Sequence, residues 1–274
     1  MPDRYAVIGN PVAHSKSPEI HAAFANQTGQ DMVYERIRGS DDRFEHQVRE
    51  FLTHGGRGLN VTVPFKERAC QLATELSDRA KDAGAVNTLI VTREGELRGD
   101  NSDGIGLLRD LSRNHHITLT GSRILLLGAG GASRGVMRHL LDQGPELLVI
   151  ANRTVDKARL LARQLATPAK VEGCGLADLA GQTFDLIVNG TSAGLNGGIP
   201  DIPRNILTPG GSTYDMMYAD KPTDFVRWGK SQGARNALDG LGMLVEQAAE
   251  SFYLWRGVRP FTQPVIAMLR APTE

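Results

Sequence analysis

The sequence predicts an α/β protein made of two α/β domains, and three observations carry that prediction. Over roughly the first hundred residues, strand-like and helix-like segments alternate, the order that gives a mostly parallel sheet with helices on both faces. The alternation starts afresh at Arg123, where RILLLGAGGASRGVMRHLL runs an apolar strand through a glycine-rich turn into a helix. Length agrees: 274 residues make two domains at roughly 100–200 residues each.

Taken in order, YAVIG (5–9) reads as a strand and 18–28 as a helix stopped at Gly29. Residues 32–38 form a strand, 41–54 a helix stopped by Gly55 and Gly56, and 58–63 a strand leading into a helix after Pro64. VNTLIVT and ELRGDN are strands around a turn at Glu94 and Gly95. Further strands are expected at 123–127, 146–152, 169–173, 184–190 and 212–218. Beyond Asn236, the residues Leu244, Val245, Ala248, Ala249 and Phe252 make an apolar stripe at helical spacing. A last helix falls near 262–270. These closing helices are expected to return to the first domain. That domain is then 1–103 plus 238–274, the second is 104–237, and a cleft lies between them.

Composition narrows the function. Hydrophobic residues are 41% and charged residues 23% of the chain, ample for packed cores. Lys+Arg and Asp+Glu are both 31, without the basic excess typical of nucleic-acid and membrane-surface proteins. The two cysteines, Cys70 and Cys174, are too few for a disulfide framework and fit a reducing compartment. The N-terminus enters a strand at once, with no targeting or spanning segment, so a soluble cytoplasmic protein is expected. The seven histidines show no H-x-x-x-H or H-E-x-x-H spacing and no metal site is expected.

At the glycine turn, Gly128 and Gly130 let backbone N–H groups approach a pyrophosphate, and the helix opening near Gly131 adds the positive end of its dipole. This is the Rossmann arrangement. Ser133 replaces the third glycine of G-x-G-x-x-G, with Ala132 beside it, and both are small enough for close helix–strand packing. The second strand, ELLVIA, ends in Asn152, Arg153 and Thr154, without the acidic residue an NAD binder places on the ribose. Alone, this string reads as a Thr154-capped helix with solvated basic residues. At its distance from the glycine turn it reads as a seat for a 2′-phosphate, which a guanidinium fork bonds through two oxygens. Lys157 supplies a second charge, and the expected dinucleotide is NADP rather than NAD.

Other strings carry candidate chemistry. In HSKSPE, Ser17 reads as a helix cap, Pro18 as the first helical residue and Glu19 as a complement to the dipole. Ser15 and Ser17 beside a helix N-terminus also suit a carboxylate. In NVTVPFK, Asn60, Thr62 and Lys66 project together, and a lysine in the first turn opposes the helix dipole, which favours a functional role. Asp103, in GDNSDGIG, reads as a cap in isolation. Asn87 sits early in a strand, where asparagine is depleted, and needs partners that substrate hydroxyls would supply. Without zinc, a carbonyl under reduction needs a proton donor, and Lys66 and Asp103 are the candidates.

Together YAVIGNPVAHSKSP, NVTVPFK, AGAVNT, DNSDG, GAGGASRG, NRT, YDMMY and DGLGMLVEQAA, in that order over essentially the whole chain, resemble the shikimate dehydrogenase family. The resemblance implies reversible NADPH-dependent reduction of 3-dehydroshikimate to shikimate, in aromatic amino-acid biosynthesis by way of chorismate. It implies that Ser15 and Ser17 hold the substrate carboxylate, that Asn60, Thr62, Asn87 and Asp103 bind ring hydroxyls, and that Tyr218 and Gln247 close the pocket. Lys66 is then the catalytic acid/base beside Asp103, so oxidation, which needs the neutral amine, speeds up as pH rises. The implied cofactor residues are Gly128, Ala129, Gly130, Gly131, Ala132, Asn152, Arg153, Thr154, Lys157, Thr191, Met216, Gly240 and Asp78. A quinate/shikimate paralogue with broader substrate or NAD use is the nearest alternative, and a non-enzymatic NADP-binding regulator a more distant one. Monomer and homodimer both remain open.

Overall fold

The computed structural model describes residues 1–164 and 170–271, without the side chains of residues 195 and 196. The chain divides into two compact units, one of Met1–Gly106 with Leu244–Glu274 and one of Leu107–Met243.

The first unit contains β1 (Asp3–Gly9), α1 (Ser17–Thr28), β2 (Met32–Arg38), α2 (Phe44–Thr53), β3 (Gly56–Val61), α3 (Lys66–Leu72), β4 (Glu75–Leu76), α4 (Asp78–Ala83), β5 (Thr88–Val91) and β6 (Leu97–Asp100). Its sheet runs β2-β1-β3-β5-β6-β4. β1 pairs in parallel with β2 and β3, while β5 is antiparallel to both β3 and β6. The β5–β6 connection is the expected turn, closed by Gly95 N–H on Thr92 O and by Thr92 N–H on Glu96 O. Helix α5 (Asp103–Arg109) then leads into a wider π-type turn at Asp110–Asn114.

The second unit contains β7 (Arg123–Leu127), α6 (Gly131–Leu141), β8 (Leu147–Ala151), α7 (Val155–Arg163), β9 (Lys170–Cys174), β10 (Phe184–Asn189), β11 (Leu207–Asp215), α8 (Asp224–Ser231) and β12 (Asn236–Leu238). Its strands are all parallel, in the order β12-β11-β10-β7-β8-β9. Counted from β7, this is the doubly wound 3-2-1-4-5-6 order of a dinucleotide-binding sheet. Helices α9 (Leu241–Arg256) and α10 (Gln263–Arg270) close the chain.

Strand alternation divides each core into two layers. In β1, Ala6 and Ile8 join Phe44, Val48, Leu59, Val61 and Phe65 under α2 and α3. The other layer of the first unit packs Ile20 and Phe24 of α1 against Val245, Ala248 and Phe252 of α9 and Val265 of α10. In β7, Ile124 and Leu126 face one cluster with Val136, Leu140 and Val188, and Leu125 and Leu127 face another with Phe184, Ile187 and Phe225. Two-sided burial of this kind explains why these strands read as continuous apolar runs.

Several boundaries differ from expectation for local reasons. The strand expected at 58–63 spans 56–61, because Phe65 N–H bonds Thr62 O and turns the chain at Pro64. The helix expected at 41–54 begins at Phe44. The strand expected at 212–218 spans 207–215, since Met217 N–H turns back onto the Asp215 carboxylate. The strand expected at 169–173 is β9, and residue 169 lies outside the described residues. Asn87 is a bend residue just ahead of β5, although its backbone still bonds Val61 and Asp100. Helices α4 and α8 were not expected. Ser77 and Thr223 cap them through Ala80 N–H and Val226 N–H.

Candidate active site

In the first unit the chain leaves β1 for β2 on one side and reaches β3 on the other. Open α/β sheets collect ligands beyond the carboxyl ends of strands at such a reversal. Two segments lie there: the loop from β1 into α1, with Ser15 and Ser17, and the turn from β3 into α3, with Thr62 and Lys66. Buried Phe65, stacked on Phe44 at 4.7 Å, anchors the second turn and sets Lys66 as the first residue of α3.

Lys66 Nζ donates to Asp103 Oδ2 at 2.6 Å, with the lysine side chain 22% and the aspartate 8% exposed. Asp103 is not a cap. Its own N–H donates to Asn101 Oδ1, so Asn101 serves the start of α5 and leaves the Asp103 carboxylate for side chains. The second carboxylate oxygen accepts Asn87 Nδ2 at 2.7 Å. An ammonium has three donors and only one goes to Asp103, so the group is oriented with donors left for a ligand.

Ser17 is also not the cap expected of it. Lys16 holds the cap position without a side-chain bond, Ser17 is the first helical residue and Pro18 the second. Ser15 Oγ accepts the Ser17 N–H and donates to Ser17 Oγ at 3.1 Å. Arg36 of β2 grips the Ser15 carbonyl through Nε and Nη2, at 3.0 and 2.6 Å, which fixes the loop. Two hydroxyls at the opening of a twelve-residue helix are suited to a carboxylate.

Between these two places runs a buried polar set. Tyr34 OH donates to Asn60 Oδ1 at 2.7 Å. Asn60 Nδ2 donates to Ser251 Oγ at 2.9 Å and lies near Asn87 O and Thr88 Oγ1. Thr88 Oγ1 bonds Ser251 Oγ and Asn87 Oδ1. Asn87 Nδ2 also reaches Ser102 Oγ at 3.0 Å and Gln247 Oε1 at 3.3 Å. Asn60, Asn87, Asp103, Lys66 and Gln247 are thus one connected group, while Ser15 and Ser17 bond each other at the start of α1. Thr62 packs its methyl where a side chain on Gly9 would sit.

Sequence reasoning missed the links Tyr34, Thr88, Ser102 and Ser251. A signal existed for Ser251: it lies three residues after Ala248 and seven after Leu244, on the buried face of α9, where a polar residue needs partners. Burial pushes the His21 imidazole, stacked 4.2 Å from the Tyr34 ring, down to about 3, against a smaller opposing contribution from Asn60. Burial likewise raises the Tyr34 phenol, against a smaller opposing contribution from Ser17. Both groups are therefore neutral near pH 7.

The second unit has its reversal between β7 and β10. Gly128, at φ 101°, ends β7, and a side chain there would meet the Gly190 carbonyl at 3.1 Å. Gly190 in turn lies against Ser133 and Met216, so no side chain fits between the strand ends. Gly130 and Gly131 face open space. With Ala129 and Ala132 they form the bare backbone entry to α6, a cradle shaped for a diphosphate. Thr191 is held by its N–H and hydroxyl on Asn189 Oδ1, and Gly240 N–H donates to Met217 O beside Met216.

At the end of β8, Asn152 Nδ2 donates to Thr154 O, and Arg153, Thr154 and Lys157 are exposed. Thr154 holds the cap position of α7 without a side-chain bond, so capping does not account for it. These residues fit an NADP. Tyr218 follows β11 on the second unit, and Asp78 of the first unit, 97% exposed, pairs with Lys81 at the start of α4. Among the described residues no cluster of three or more His, Cys, Asp or Glu suits a metal.

Comparison with known proteins gives three family matches: shikimate dehydrogenase substrate binding domain over residues 7–89, shikimate / quinate 5-dehydrogenase over 110–196, and shikimate 5'-dehydrogenase C-terminal domain over 240–270. Shikimate dehydrogenase (NADP(+)) of Methylococcus capsulatus is 57% identical over 271 residues, covering 99% of this chain and 97% of that protein. The same enzyme of Alkalilimnicola ehrlichii is 56% identical over 270 residues, 98% of this chain and 99% of its own length. Among solved structures, an Ael1 enzyme from Pseudomonas putida has a TM-score of 0.92 at 46% identity, covering 99% of this chain and 100% of that one. Shikimate 5-dehydrogenase of Thermus thermophilus, in complex with NADP(H) and shikimate, has a TM-score of 0.87 at 33% identity, covering 98% of each chain.

Proposed function

This chain belongs to the shikimate dehydrogenase family, and we propose that Lys66, held by Asp103, is the acid/base of its reaction. The chain is an NADP-dependent oxidoreductase acting on a CH–OH group, interconverting 3-dehydroshikimate and shikimate in aromatic amino-acid biosynthesis. The observation that carries the residue assignment is the 2.6 Å Lys66–Asp103 pair, with Asn87 on the other carboxylate oxygen.

Bound NADPH supplies the hydride. In reduction the Lys66 ammonium donates a proton to the ring carbonyl oxygen as it becomes an alkoxide. In oxidation the neutral amine takes that proton back. Asp103 orients the lysine through Oδ2, and Asn87 orients Asp103 through Oδ1. Ser15 and Ser17 take the substrate carboxylate at the start of α1, while Asn60, Thr62, Asn87 and Gln247 take ring hydroxyls. Gly128, Gly130, Gly131 and the start of α6 seat the diphosphate of NADP, and Arg153 with Lys157 seats its 2′-phosphate. Thr191, Met216 and Gly240 complete that side. No helix among the described residues is long and apolar enough to cross a membrane, and we place the enzyme in the cytoplasm.

Turnover measured with shikimate and quinate against NADP and NAD tests this reading. Shikimate with NADP should exceed the other three combinations clearly. Comparable turnover of quinate would make the chain the broader paralogue, and NADP binding without turnover would make it a regulator.

A further inference from the structure

We infer that Ser251 is a positioning residue for substrate binding: it fixes the amide of Asn60 and continues the hydrogen-bond chain that runs from Tyr34 to Asp103. This rests on the assignment of Asn60 as a ring-hydroxyl ligand and adds a residue to the machinery behind it.

The argument is a count of protons. Asn87 Oδ1 and the Asp103 carboxylate only accept. The single Thr88 proton therefore goes to Asn87 Oδ1, at 2.9 Å. Thr88 Oγ1 must then accept at its 2.8 Å contact with Ser251, and the single Ser251 proton, whose other acceptor is the Gln247 carbonyl at 3.2 Å, goes to this nearer oxygen. Ser251 Oγ accepts from Asn60 Nδ2 at 2.9 Å, and Asn60 Oδ1 accepts from Tyr34 at 2.7 Å. Asn87 Nδ2 completes the run on Asp103 Oδ1 at 2.7 Å. Every donor points the same way, and links of one sense strengthen each other in a buried setting.

The same count fixes Asn60. Turned over, its carbonyl oxygen would face the Asn87 carbonyl, now 3.1 Å from Nδ2, and two acceptors would oppose each other. Of the three acceptors near Nδ2, Ser251 Oγ is the nearest. Ser251 is fully buried and stands one helical turn after Gln247 on α9, with its Oγ 3.2 Å from the Gln247 carbonyl and 3.4 Å from Ser102 Oγ. It thereby ties the helix that carries Gln247 to the strands that carry Asn60 and Thr88.

The test is steady-state kinetics on Ser251→Ala, Asn60→Ala and the double variant, with thermal melts to confirm folding. Ser251→Ala should raise the KM for shikimate roughly threefold to tenfold, the worth of one buried neutral hydrogen bond. The KM for NADP should not move, and kcat should fall less than twofold. In the Asn60→Ala background the second change should add almost nothing, a non-additivity that a general loss of packing does not produce. If Ser251→Ala melts too early to assay, Tyr34→Phe cuts the same chain from its other end. It should show the same selective rise and the same non-additivity.

The inference is overturned if these variants leave the shikimate KM within twofold of wild type while Asn60→Ala raises it, or if the effects add in full. If Asn60→Ala itself leaves that KM unmoved, the assignment of Asn60 fails, and the role of Ser251 fails with it.

Discussion

At the reversal between β1 and β3 the first unit presents a hydrogen-bonded set of side chains, whereas at the reversal between β7 and β10 the second presents glycine backbone. The topological device is shared and the furnishing is opposite. A diphosphate is met by N–H groups that every residue carries, so that cradle needs the absence of Cβ atoms more than the presence of any side chain. A ring bearing a carboxylate and several hydroxyls must be read by placed donors and acceptors. Each of these costs free energy when buried unless its remaining valences are filled. The first unit fills them with Tyr34, Thr88, Ser102 and Ser251, and the second has little to fill.

Removing single side chains should therefore affect the two places very differently. The largest effect is expected at Lys66. Lys66→Ala removes the proposed proton donor and should lower kcat by about 10²–10⁴-fold, the usual worth of a positioned acid/base, with the shikimate KM little changed. Near-normal turnover would take the lysine out of the chemistry. On the proposed cofactor seat of the second unit, a side chain matters mainly where it would read the 2′-phosphate. Arg153→Ala should weaken NADPH binding by roughly tenfold to a hundredfold, as for a hydrogen bond to a charged group, and NADH binding far less. Equal losses with both cofactors, measured by fluorescence titration, would remove Arg153 from that role.

The same contrast explains what the sequence revealed. The glycine cradle was legible because its signal is local: a strand, Gly128 to Ala132 and a helix occur in one run of residues. The strand order of that sheet was not read from the sequence, because the same strand–helix alternation fits more than one doubly wound order. On the first unit, Lys66 and Asp103 stood out, but the reason they meet did not, because they are 37 residues apart and joined only by the fold. Ser17 and Asp103 read as caps from composition. Only the folded chain reveals that Ser15 and Asn101 take over the backbone N–H groups. Tyr34 looked like an ordinary strand residue. Ser251 was hidden within an apolar stripe, and its partners lie on β5 and β3, far away in sequence.

Acid should separate the units further, with a smaller effect. His21, at about 3 when folded and near 6.5 when unfolded, lets the unfolded chain bind a proton that the folded chain refuses. Its contribution is intact above pH 6.5 and is lost as pH falls below it, at about 1.4 kcal/mol per pH unit. Asp215 in the second unit has the opposite sign. Burial raises its carboxyl despite bonds from Thr223, Met217 and Asn189, so its contribution grows as pH falls toward the usual carboxylate range. The two tryptophans report separately: Trp255 lies 5.4 Å from the His21 ring, and Trp228 stacks on Phe225 in the second unit. Urea unfolding followed through Trp255 in a Trp228→Phe protein should therefore weaken between pH 6.5 and 5.5 by about 1 kcal/mol. His21→Phe, which keeps an aromatic ring against Tyr34, should flatten that slope. An unchanged slope would mean that the imidazole is not the group whose protonation loosens the first unit, and that its exposed acidic residues govern the acid response instead.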